Sequence, residues 1–111
     1  MNLDHDRYLL VRAQLAEIID SLEYLNYADN QLGYILKLEH IRDIAMQYGM
    51  APIGDISMIF ENALGKLNQC QNSQIICQAY IGILRDAVAC QRISNEAARA
   101  MLGSVAMRLH A

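Results

Sequence analysis

Apolar residues recur every three or four positions along almost the whole of this 111-residue chain, and only one proline, Pro52, interrupts them. A helix turns once in about 3.6 residues, so that spacing gathers side chains into one stripe that another element must cover. Strands need strict alternation and favour β-branched and aromatic residues, which are comparatively scarce here. Leu, Ile, Ala and Met fill most apolar positions, with one Phe and no Trp. A chain of this length has room for one domain, since domains commonly run to about 100–150 residues.

The first helical pattern spans about Asp4 to Leu25, with Val11, Leu15, Ile18, Leu22 and Leu25 on one stripe. Asp4 and Asp6 fall in its first turn, where acidic groups suit the helix dipole and can cap free N–H groups. A polar connection from Asn26 to Asn30 leads to Leu32, Ile35, Leu38, Ile41, Ala45 and Tyr48, and Gly49 is suited to end that helix in a left-handed conformation. The break extends through Met50-Ala51-Pro52-Ile53-Gly54, with Pro52 disfavouring helical geometry at Ala51 and either Pro52 or Asp55 opening the next helix. Ile53, Ile56, Phe60, Ala63 or Leu64, and Leu67 form its stripe, which ends in the polar stretch 68–73. Ser73 is expected to cap a fourth helix with Ile76, Ala79, Ile83, Ala87 and Cys90 on one side. Ser94 then caps a segment carrying Ala97, Met101, Val105 and Leu109, either a fifth helix or a kinked continuation of the fourth. Short connections make successive helices antiparallel neighbours. The fold expected is therefore all-α, an up-and-down antiparallel four-helix bundle, with a fifth helix as an option, in a single domain over residues 1–111.

The net charge is −3, and no run of Lys or Arg is long enough to track a phosphate backbone, which argues against nucleic acid as a partner. No segment approaches the roughly 18 consecutive apolar residues of a membrane span, and the N-terminus lacks the pattern of a secretory signal, so a cytoplasmic location is expected. Three cysteines, Cys70, Cys77 and Cys90, are an odd number at wide spacings, which favours reduced, buried thiols over a disulfide framework. With His5, His40 and His110 also scattered, no metal site is expected. Motifs that cradle phosphate, activate a serine or hold zinc are absent, so neither enzymatic activity nor a cofactor is expected.

One segment carries more than periodicity. From Leu38 to Glu61 the chain reads Leu-Glu-His-Ile-Arg-Asp-Ile-Ala-Met-Gln-Tyr-Gly-Met-Ala-Pro-Ile-Gly-Asp-Ile-Ser-Met-Ile-Phe-Glu. This resembles the signature of histidine-containing phosphotransfer (HPt) domains, in which an exposed His is followed by an apolar residue two positions on, Lys or Arg three on and Gly four on. A second Gly closes the helix after an apolar residue, and the next helix ends its apolar positions in Leu-Glu. Aligned without a gap, Ile41 takes the apolar position, Arg42 the basic one, Tyr48-Gly49 the closing pair and Phe60-Glu61 the trailing pair. Two positions depart from the pattern: Glu39 stands where the family has its phosphoacceptor, and Asp43 where it has the first Gly.

The resemblance implies a signalling module of a two-component phosphorelay, with a histidine kinase or a response-regulator receiver domain as partner. With Glu39 at the acceptor position it implies a non-phosphorylatable pseudo-HPt, with Lys37, Glu39, His40, Arg42 and Asp43 forming the contact patch. Glu39 and Asp43, four apart on one face, add like charges that an acidic receiver pocket should resist unless Arg42, Lys37 or a metal ion compensates. In an alternative, His40 accepts the phosphoryl group, at the cost of putting Ile41, Arg42 and Tyr48-Gly49 one residue out of phase. A third reading is a structural or adaptor bundle that forms a homodimer through Leu9, Leu10, Ile19, Tyr24 and Tyr27, which enlarge the stripe of the first helix.

Overall fold

The computed structural model describes the backbone of residues 3–67 and 72–105, and the side chains of 6–67 and 72–90. Within them the chain forms four helices and no strand: α1 (Leu3–Glu23), α2 (Gln31–Gln47), α3 (Ala51–Gly65) and α4 (Ser73–Val105). Both α1 and α3 border α2 and α4, so the helices close a ring around one core. Val11, Leu15, Ile19 and Leu22 of α1 meet Leu38, Ile41 and Ala45 of α2, Ile53, Phe60 and Leu64 of α3, and Ile81, Leu84 and Val88 of α4. Aromatic rings run across that core. Tyr27, in the connection after α1, meets Tyr34 of α2 edge-on at 5.5 Å, Tyr34 meets Phe60 of α3 at 5.8 Å, and Phe60 stacks on Tyr80 of α4 at 4.8 Å. Such pairs add about 0.5–1.5 kcal/mol each beyond the area they bury.

Local chemistry explains where the helices begin and end. The Asn30 side chain accepts the Gly33 N–H at 3.0 Å and so caps α2. At the other end Gly49 takes a φ of +75°, the Met50 N–H donates to the Ala45 carbonyl at 2.7 Å, and the Gly49 N–H donates to Met46. That is a Schellman closure, and it sinks the Met50 side chain into the core. The break after α2 is therefore shorter than expected: α3 opens at Ala51, with Pro52 in its first turn. Proline is tolerated there because the first N–H groups of a helix have no partner within it. Gly54 lets α3 approach α2, since a Cβ at that position would lie 2.7 Å from Met46 Sδ.

Several expectations need correction. Leu32 of α2 and Tyr48, just past its end, are exposed, and Tyr34 and Ile44 are buried instead. α4 turns a different face inward: Cys77, Ile81, Leu84 and Val88 are buried, while Ala79, Ile83 and Cys90 are exposed. Asn72, not Ser73, caps α4, its side chain accepting the Gln74 N–H at 2.9 Å. No helix starts at Ser94, because α4 runs unbroken from Ser73 to Val105; its 33 residues correspond to about 50 Å, close to the longest dimension of the molecule, 54 Å. No separate fifth helix is formed within the described residues. The enlarged apolar stripe of α1 also dissolves. Ile19 is core, Tyr27 packs against the core, and of that set only Leu9, Leu10 and Tyr24 are exposed. The Asp4 side chain, Cys70 and the segment 106–111 lie outside the described residues.

Candidate functional site

The outer face of α2 carries most of the residues that the sequence singles out. Taking about 100° per residue, Leu32, Leu36, Glu39, Asp43 and Met46 fall within an arc of about 80° on the side opposite Tyr34, Leu38, Ile41 and Ala45, which are fully buried. The three apolar members of the arc are 71%, 53% and 55% exposed in chain order. Asp43 is exposed and Glu39 half-buried. Leu32 and Leu36 are left in water on a helix whose other side already fills a core, while Met46 reaches toward Gly54 of α3 and keeps about half its surface exposed.

Arg42 lies on the flank of that face turned toward α3, and its guanidinium donates to Glu61 Oε2 of α3 at 3.0 Å. The pair is partly withdrawn from water, with the Glu61 side chain only 13% exposed. Burial raises the pKa of Glu61, Arg42 opposes that rise, and the neighbouring carboxylates of Glu39 and Asp43 add to it. Three carboxylates thus share one guanidinium, which is hydrogen-bonded to one of them. Arg42 is committed to joining α2 to α3 and makes no ion pair with Glu39 or Asp43.

The remaining residues of the expected patch point elsewhere. Lys37 is two positions from Glu39, about 200° round the helix, so it stands on the other side of α2, half-buried. His40 is exposed, about 100° from Glu39 on the flank away from Arg42. The structure therefore brings together Glu39, Asp43 and Arg42, and separates Lys37 and His40 from them. Sequence reasoning missed the exposed Leu36 and Met46 and the engagement of Glu61. The trailing Glu of the motif was visible, yet its partner 19 residues earlier shows only once α2 and α3 are packed.

A concavity of about 490 Å³ opens between the end of α1, the Leu25–Tyr27 connection and the first half of α4. Leu22, Tyr27, Cys77 and Ile81 line its apolar part, and Arg85 stands at its polar side, held by Asp20 at 2.6 Å and also by Glu23. The Cys77 thiol is buried beside the Tyr34 hydroxyl; burial pushes its pKa up, which leaves it a weak nucleophile. Among the described residues no group of three His, Cys, Asp or Glu side chains is placed to hold a metal ion, and no helix is long and apolar enough to cross a membrane.

No family model, curated relative or solved structure matches the chain. The functional reading rests on the geometry of α2 and on the motif carried by its sequence.

Proposed function

We propose that this protein is an HPt-like signalling module with up-and-down antiparallel topology, in which a carboxylate replaces the phosphoacceptor, and that it binds a histidine kinase or a receiver domain in the cytoplasm without transferring phosphate. The ring of four helices joined by short connections is in keeping with that topology. The observation that carries the reading is the position of Glu39: it lies half-buried near the middle of α2, on the side turned away from the core, between apolar residues that stay largely exposed among the described residues. A carboxylate there supplies a standing negative charge where the resemblance implies a transient phosphoryl group. Partner binding, and not turnover, is the activity such a surface offers, and occupancy of the partner is the means by which it acts.

Incubation with a panel of phosphorylated receiver domains and of histidine kinases, followed both by label transfer and by binding, tests this proposal. The expected result is saturable binding to a member of the panel without acid-labile label on the protein. Acid-labile label that disappears in His40→Ala would replace the proposal with phosphotransfer through His40, whose side chain is accessible.

A further inference from the structure

The five residues on the outer face of α2 follow one another at steps of four, three, four and three: Leu32, Leu36, Glu39, Asp43 and Met46. That is the spacing of a helix-packing seam, in which side chains in a narrow stripe interlock with those of a second helix crossing at about 20°. α2 spends its core-facing stripe on its neighbours α1 and α3, and among the described residues this second stripe is left largely exposed, open to a helix from outside. Its charge pattern is specific. Apolar residues occupy the two ends, two carboxylates occupy the middle, and Arg42 beside them is paired with Glu61.

We infer that the outer face of α2 receives an amphipathic helix of a partner protein whose stripe is aliphatic at its ends and carries Lys or Arg at its centre. This inference rests on the proposed module and narrows its partner. Covering the seam would withdraw Glu39 and Asp43 further from water, which is unfavourable for each charge left unpaired and which a facing ammonium or guanidinium offsets. Leu32, Leu36 and Met46 supply the apolar area at either side. An acidic, metal-binding receiver pocket brings the opposite complement, and the two carboxylates repel it. Of the two partner classes, the surface therefore selects a cationic helical one. The stripe runs over 15 residues, about 21 Å of helix axis, so about four turns of partner helix would span it.

The test uses the full chain and three synthetic helical peptides with the same Leu-rich ends and with Lys, Glu or Leu at the two central positions, followed by fluorescence anisotropy at low and high salt. The Lys-centred peptide is expected to bind at least about tenfold more tightly than the Glu-centred one, with the preference reduced by salt. Glu39→Lys combined with Asp43→Lys should reverse the preference, whereas Asp86→Lys, on the exposed side of α4, should leave it unchanged. Helical circular dichroism of each variant establishes that it is folded. Equal affinity for the Lys- and Glu-centred peptides, or an equal response to Asp86→Lys, would overturn the inference. So would sedimentation showing a dimer that Leu32→Glu with Leu36→Glu dissociates. A receiver domain that binds where the Lys-centred peptide does not would remove the inference and leave the module standing; failure of receiver, kinase and peptide alike to bind the folded protein would remove both.

Discussion

Arg42 joins α2 to α3, and Arg85 joins α4 to α1, each through carboxylates on the neighbouring helix, yet the two ties sit in different surroundings. Arg85 is half-buried, as Arg42 is, but its partners Asp20 and Glu23 are exposed, at the edge of an open concavity. Arg42 is paired with a carboxylate that burial has already made reluctant to ionise. The same chemistry therefore does different things. At the exposed site, water and salt screen the pair and its net contribution is small. At the partly buried site, each partner is needed because the other cannot return to water without cost. Arg42 is thereby unavailable to the face beside it, and the acidity of that face is a consequence of how α2 and α3 are joined.

Substitutions can sharpen or break this contrast. The largest effect belongs to Phe60, which touches Tyr34 on one side and Tyr80 on the other and so serves both halves of the ring. Phe60→Ala should cost about 3–5 kcal/mol in urea unfolding, through lost burial and a cavity that its neighbours only partly close. Arg42→Ala should cost about 1.5–3 kcal/mol, because it leaves Glu61 without its charged hydrogen bond. Arg85→Ala should cost less than about 1 kcal/mol and less still at high salt. Equal losses for the two arginines would erase the distinction drawn between the sites. Gly82, three turns into α4, has nothing within 4 Å of a Cβ built on it, so Gly82→Ala should raise stability by about 0.5–1 kcal/mol through helix propensity alone.

Glu61 also makes the contrast a function of pH. Its pKa is raised in the folded protein, so between the ordinary carboxylate value and the raised one the native state holds more protons than the unfolded chain. Stability from this group is therefore greater on the acid side of that window and falls as pH rises through it. Urea midpoints measured across the window should show that slope in the wild type and its loss in Glu61→Gln. A slope unchanged by that substitution would assign the effect to another group.

Much of the fold was legible in the sequence, because three- and four-residue spacing and a glycine after Tyr48 have only one economical reading. The inward face of α4 was not. Ile76 and Ile83 form one aliphatic stripe and Ile81, Leu84 and Val88 another on the same helix, and the surface presented by α1 and α3 decides which is covered. Tyr34 escaped notice for a related reason: its hydroxyl suggests surface, whereas the rings of Tyr27 and Phe60 hold it in the core. At the site, helical spacing alone was enough to set Glu39 and Asp43 on one face. The loss of Arg42 to Glu61 depended on the packing of two helices and was beyond the reach of spacing.

Restoring the acceptor tests the central claim most directly. Glu39→His with Asp43→Gly returns the two departing positions to the family pattern, and the double variant is exposed to labelled phosphorylated receiver domains beside the wild type. The account predicts acid-labile label on the variant and none on the wild type. Label on the wild type, or a folded double variant that accepts none from any donor, would contradict the placement of Glu39 on which the proposal is built.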